Sequence, residues 1–167
     1  MRLNIGSDYF RIENFINVDI RPSVNPDLVM NIGRLGFKDC SVSEILLGNV
    51  LEHLEITWIY KSLEECRRIL KNDGVLYVTI PLSDRAQKYL DAGQIDKDTY
   101  NRIVKGEPEG YNSHKTWFVE GDLEIILRQC EFSFEPLDLF SFPYLIVSDS
   151  LNPRPDPWQY GVKATIS

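Results

Sequence analysis

The sequence predicts an α/β fold built on a mostly parallel sheet, and three observations carry that expectation. Apolar runs of strand length alternate with segments of helical period. The chain opens on a short strand, a glycine and a second strand that ends in a carboxylate. Its last two apolar runs are joined by a proline-bearing linker, which suits an antiparallel pair at a sheet edge.

The elements follow in order. Leu3 to Ile5 is a first strand running into Gly6, and Phe15 to Ile20 is a second, carrying Asp19 near its end. Only about ten residues separate them, near the minimum for a parallel crossover, so any helix between them has one or two turns at most. Asp27 to Met30 reads as a short third strand ending at Asn31, and Ile32 to Cys40 as a turn of helix and a loop. Glu44 to Gly48 is nearly all apolar, the mark of a strand central in the sheet. Ile56 to Leu70 is helical, because Ile59, Leu63, Cys66 and Leu70 recur at spacings of three and four. Asn72-Asp73-Gly74 stops this helix, and Val75 to Ile80 is a fifth strand closed by Pro81.

Beyond Pro81 the pattern loosens. Ser83 caps a helix through Leu90, and a short helix runs from Asp96 to Val104 until Gly106-Glu107-Pro108-Glu109-Gly110 breaks it. Tyr111 to Phe118 is a polar, aromatic loop, and Glu120 to Gln129 is an amphipathic helix with Leu123, Ile126 and Leu127 on one face. Two strands close the chain, Phe132 to Phe140 and Tyr160 to Ile166, with Pro153, Pro155 and Pro157 between them. The expected domain is single, spanning 1–167, with 83–118 as a substrate-side insertion or lid.

Composition narrows the function. The 167 residues are 43% apolar and 26% charged, ordinary for a globular domain. A net charge of −7 argues against a nucleic-acid backbone as partner. The three cysteines are far apart with no CxxC pair, so reduced thiols in a cytoplasmic protein are expected, with no zinc framework and no metal-ligand cluster in the sequence. No apolar run approaches membrane-spanning length, and no leader precedes the first strand.

A strand, a glycine turn and a strand ending in an acid suit a nucleoside: the glycine lets backbone approach the ligand and the acid accepts from ribose hydroxyls. An NAD-dependent oxidoreductase shares this logic but needs G-x-G-x-x-G opening a full helix, which this chain lacks. The order of signals is more specific. It runs Leu3-Asn4-Ile5-Gly6, Ile16-Asn17-Val18-Asp19, Asn31-Ile32, Ser41-Val42-Ser43-Glu44-Ile45, Asn49-Val50-Leu51-Glu52-His53-Leu54, and Arg68-Ile69-Leu70-Lys71-Asn72-Asp73-Gly74. This resembles the class I S-adenosylmethionine-dependent methyltransferases, closest to their small members with a short first helix. The resemblance covers roughly 3–82 well and 114–140 loosely.

The resemblance implies a Rossmann-like, mostly parallel seven-stranded sheet with an antiparallel edge pair and helices on both faces. It implies S-adenosylmethionine as cofactor, held by Gly6, Ser7, Asp8, Asp19, Ile20, Asn31, Ile32, Asn49 and Glu52. Asp19 takes the ribose hydroxyls, Asn31 accepts from the adenine amino group, and the Ile32 N–H completes adenine recognition. His53 and His114 are the candidate bases; alternatively, Glu52 and His53 fix loop geometry through hydrogen bonds. Arg68, Lys71 and Gly74 are features of the fold. The acceptor is a small molecule, a sugar or glycan intermediate among the options, methylated on O or N by a monomer or homodimer. The chain departs from the family at its glycine turn, which reads Gly6-Ser7-Asp8-Tyr9, with Asp8 where a second glycine is usual. Asp8 either accepts from the cofactor's ammonium group or crowds its carboxylate, and the latter leaves a catalytically silent binding or regulatory module as the alternative function.

Overall fold

The structure is a computed structural model, and it describes residues 1–108, 110–144 and 155–167. Glu109 in the expected loop break and Pro153 in the expected linker lie outside the described residues. The elements are β1 (Arg2–Ile5), β2 (Ile16–Asp19), β3 (Leu28–Val29), β4 (Val42–Gly48), α1 (Ile56–Ile69), β5 (Leu70–Pro81), α2 (Ser83–Asp91), α3 (Lys97–Lys105), α4 (Asp122–Gln129), β6 (Phe132–Pro136) and β7 (Gln159–Ile166).

One seven-stranded sheet has the order β3-β2-β1-β4-β5-β7-β6. The strands from β3 to β5 are mutually parallel, while β7 runs antiparallel to both β5 and β6. The expected edge pair is therefore present, and β4 is the middle strand. Strand order reverses between β1 and β4, which opens a crevice beyond their carboxyl ends.

Strand alternation sorts the side chains onto two unlike faces. Leu3, Ile5, Ile45, Leu47, Leu76, Val78, Val162 and Ala164 point to one side, where α1 and α4 cover them with Ile59, Leu63, Cys66, Leu123 and Leu127, all fully buried. On the other side Leu46 and Tyr77 meet Ile12, Phe15, Leu137, Phe142 and Tyr144, which come from loops. The polar residues of that side pair among themselves, Arg2 with Glu44 and Lys163 with Glu135.

No helix forms between β1 and β2, within the expected limit of one or two turns at most; the segment is a run of turns. Two buried asparagines hold it instead. Asn17 Oδ1 accepts from Asn4 Nδ2 at 3.0 Å and from the Ile12 N–H at 2.9 Å, and Asn4 Nδ2 also donates to Phe10 O. Residues 32–40 likewise form no helix. Arg68 on α1 donates to Leu35 O and Phe37 O, and Glu65 accepts from the Leu35 N–H, so α1 organises this loop.

Three further expectations are corrected. Asn72-Asp73-Gly74 does not stop α1: the chain is already extended at Leu70, which pairs with Val42, and the register shift between Val42 and Glu44 absorbs the extra residues. Ser83 does not cap α2, whose N-cap is Leu82; its hydroxyl donates instead to Phe118 O at 2.9 Å. Asp96 does cap α3, accepting from the Thr99 N–H at 2.7 Å. β6 ends at Pro136, short of Phe140. Among the described residues Cys40, Cys66 and Cys130 are free thiols, and no helix is long and apolar enough to cross a membrane.

Candidate active site

The crevice beyond β1, β2 and β4 is a cavity of about 820 Å³. Gly6, Asp8, Asp19, Ile20, Asn31, Ile32, Asn49 and His53 all line it, so eight of the eleven residues expected at a site come together. Ser7, Glu52 and His114 do not line it: Ser7 is fully buried with its N–H given to Val18 O, and the other two sit behind His53. A shallower hollow of about 500 Å³, bounded by Glu107 and Pro108, shares Arg21, Tyr111 and Asn112 with the cavity.

Gly6 ends β1 at φ 69°, and its N–H donates to Val18 O at 2.8 Å. A Cβ here would lie 2.5 Å from Val50 Cγ2, so the turn needs glycine for both backbone and space. Asp8 adopts φ 46°, the left-handed conformation a second glycine would supply, which aspartate tolerates better than most residues. Its N–H donates to Asp19 Oδ2 at 2.9 Å.

Asp19 is 3% exposed, and both carboxylate oxygens are in use. Oδ1 accepts from the Arg21 N–H at 2.9 Å and from Arg21 Nε at 3.1 Å, while Oδ2 accepts from Asp8 and, at 3.4 Å, from Arg21 Nη2. Burial alone would raise this carboxyl, but the Arg21 side chain and the two backbone donors outweigh it and hold it below the ordinary value. Arg21 Nη2 also lies 3.0 Å from Asp8 Oδ1, an ion pair without hydrogen-bond alignment, and Nη1 donates to Asn112 Oδ1 at 3.1 Å. One guanidinium thus joins two acids at the strand ends to the loop across the cavity.

Asn31 Oδ1 accepts from the Gly33 N–H at 2.8 Å, and one lone pair stays available to a ligand. Trp58, from α1, lies against Gly33 and contributes an aromatic wall. Asn49 turns the chain after β4 at φ 53°, fixed by its N–H to Thr79 O and by Thr79 Oγ1 donating to Asn49 Oδ1 at 3.3 Å.

Glu52, His53 and His114 converge, with one ligand-capable atom of each within 4.8 Å of the others. The sequence shows no such cluster, because 61 residues separate the two histidines and a loop brings them together. The imidazole rings meet edge to face at 4.8 Å between centroids. His53 Nδ1 lies 3.3 Å from Ser113 O and His114 Nδ1 lies 3.1 Å from Val104 O, so each Nδ1 carries the proton and donates. Burial pushes the Glu52 carboxyl up to about 8 and the His114 imidazole down to about 4, and it lowers His53 as well. At neutral pH both rings are therefore uncharged, and His53 presents Nε2 as an acceptor. Gly106, at φ 65°, makes room for His114: a Cβ there would stand 2.6 Å from its Cδ2.

Sequence reasoning missed Arg21, Trp58 and Asn112. Only Arg21 left a signal, a cation two positions after the strand-end acid.

Residues 10–78 match the family model of the methyltransferase domain. That stretch includes Asp19, Asn31 and the Asn49 to Leu54 turn, which carry the family resemblance in the sequence. No curated protein matches the chain. Among solved structures, a SAM-dependent methyltransferase from Methanosarcina mazei superposes with TM-score 0.65 at 16% identity, over 99% of this chain and 91% of that one. A SAM-dependent methyltransferase from Thermotoga maritima, described as a possible histamine N-methyltransferase, gives 0.64 at 18% identity over 99% and 82%. The 1,6-didemethyltoxoflavin-N1-methyltransferase of Burkholderia thailandensis, bound to 1,6-didemethyltoxoflavin and S-adenosylhomocysteine, gives 0.61 at 14% over 99% and 70%. The fold is the Rossmann-like methyltransferase fold.

Proposed function

We propose that this chain, built on the methyltransferase fold, is an S-adenosylmethionine-dependent methyltransferase acting on O or N of a small acceptor. One observation carries the reading: a single cavity is lined both by Gly6, Asp19 and Asn31, the set proposed to hold the nucleoside, and by His53. The Burkholderia neighbour, which holds 1,6-didemethyltoxoflavin and S-adenosylhomocysteine together, supports it.

The residues present fit the cofactor. Gly6 lines the cavity with bare backbone, Asp19 and Asn31 offer acceptors, and Ile32, Val50 and Met30 supply apolar wall. When bound, S-adenosylmethionine supplies a methyl group activated on a sulfonium sulfur. This chain's work is alignment, exclusion of water and, for a protonated acceptor, removal of one proton. His53 Nε2 is the base, kept neutral by burial and oriented by its Nδ1–H bond to Ser113 O. Asp19 takes ribose hydroxyls by exchanging them for the Arg21 side-chain bonds, while the Asp8 and Arg21 backbone N–H groups go on fixing the carboxylate. Arg21 neutralises Asp8, so a carboxylate at the second glycine position does not repel an anionic group.

Tyr111, Asn112 and Lys115 form the acceptor side, and residues 83–118 act as its lid. The overall charge of −7 favours a small molecule, a sugar or glycan intermediate included, over nucleic acid. A second reading, a silent binding module, draws on the occupation of both Asp19 oxygens by Arg21.

Thermal shift separates the two. Cofactor or its demethylated product at a hundredfold excess over Kd stabilises by about 2.7 kcal/mol, or about 5 to 10 °C in a chain of this size. Asp19→Ala is expected to abolish that shift while the protein still melts cooperatively. No shift in the unmodified protein rejects the enzyme, and an undiminished shift in the variant rejects the ribose assignment.

A further inference from the structure

We propose that Glu52, His53 and His114 form a binding site for one divalent transition-metal ion of the zinc and iron class, set in the floor of the cavity beside His53. The ion and the acceptor's proton compete for the same His53 Nε2 lone pair, so the ion-bound form is distinct from the form in which His53 acts as base, and the site is testable without cofactor or acceptor.

Three observations carry it. First, Glu52 is 2% exposed, and its Oε2 has no hydrogen-bond partner. A buried carboxyl oxygen without a partner is costly, and a cation bound there removes that cost. Second, both histidines already have the outer arrangement of metal-bound imidazoles, with the Nδ1–H of each given to a backbone carbonyl. That leaves the Nε2 lone pairs for an ion. Third, the backbone locks the two segments together. Glu52 O accepts from the N–H groups of both Lys115 and Thr116, at 2.8 and 3.1 Å, so the turn holding Glu52 and His53 is tied to the residues after His114.

The donor set selects the ion. Two imidazoles and one carboxylate make a three-ligand site that keeps positions open, suited to zinc or iron rather than magnesium or calcium. Bonds of about 2.1 Å place ligand atoms roughly 3.4 Å apart at a tetrahedral angle and about 4.2 Å apart across the ion. The present spread of up to 4.8 Å therefore contracts by up to about 1.4 Å for a tetrahedral pair as the side chains close on the ion. An open position on the His53 side reaches the cavity and takes an oxygen donor: water, or a hydroxyl or carboxylate of a bound small molecule.

The test uses the full chain stripped with a chelator. Zinc is titrated by calorimetry, and cobalt by its visible absorption. The expected result is one ion per chain, weakened more than about tenfold by Glu52→Gln and by His114→Ala, with Cys40→Ser binding as the parent does. Thermal melts establish that each variant is folded, and His114→Gln replaces His114→Ala if the latter melts without cooperativity. No uptake by the parent overturns the proposal and leaves the trio as a hydrogen-bonded support. Uptake that survives in both ligand variants, or cobalt spectra with thiolate charge transfer, overturns it equally by placing the ion elsewhere.

Discussion

Asp8 at φ 46° and Arg21 at its side show how one aspartate stands in for a glycine. Aspartate accepts the left-handed backbone, and its charge is met by a guanidinium that also serves Asp19. Arg21 is about four-fifths buried and Asp19 more so, so removing the cation strands two acids close together. Arg21→Ala is expected to cost about 2 kcal/mol in urea unfolding, with the NMR-observed Asp19 carboxyl titrating higher; a stability within 0.5 kcal/mol of the parent, about the scatter of ordinary surface changes, removes the clamp from the account. Gly6, Asp19, Asn31 and His53 could be placed at strand ends and turns from the sequence, and all four line the cavity. The part Arg21 plays was not legible, since a surface arginine and one bridging two carboxylates look alike until the fold brings residues 8, 19 and 112 together. The Glu52–His53–His114 cluster was hidden for the same reason.

α1 shows what periodicity reveals and what it hides. Ile59, Leu63 and Cys66 were assigned to one face, and all three are fully buried. Leu63→Ala is expected to cost about 2 to 5 kcal/mol, whereas Ile125→Ala, at a position 55% exposed on α4, costs well under 1. Chemical denaturation of the two variants checks the contrast, and equal losses would refute the assigned faces. The end of α1 was misjudged because Asn-Asp-Gly is a strong turn signal, yet Leu70 already pairs with Val42 and tertiary pairing overrides it. Between β1 and β2, where the short span left room for one or two helical turns at most, the Asn4–Asn17 pair holds the chain, an arrangement of side-chain amides that no period announces.

At the scale of the whole molecule, one face of the sheet is packed by α1 and α4, and the other is closed by loop aromatics and ion pairs. The mostly parallel sheet and its antiparallel edge pair were legible from the succession of apolar runs; the order of the strands and the face that α1 and α4 cover depend on long-range packing. Loop closure also contributes to stability against acid. Asp27 accepts from the Asn17 N–H, from Arg11 and from Asn17 Nδ2, and these bonds hold its carboxyl down at about 2. A lowered carboxyl stabilises the fold above its ordinary value near 3.8 and loses that contribution as pH falls toward 2. Asp27→Asn is expected to flatten the fall of stability between about pH 4 and pH 2, and an unchanged slope in pH-dependent melts removes this cause. The shared acceptor Glu52 O has a consequence of its own. The amide protons of Lys115 and Thr116 are released by a single event, the lifting of the 110–116 segment from the turn that bears His53. In hydrogen exchange they should leave at matching free energies, later than the amides of Tyr111 and Lys38, and slow together when anything fills the cavity. Unequal or unprotected amides would show that the wall is not bolted at this point. Two adjacent protons, read by NMR, thus gauge whether the cavity is open or closed without any knowledge of its substrate.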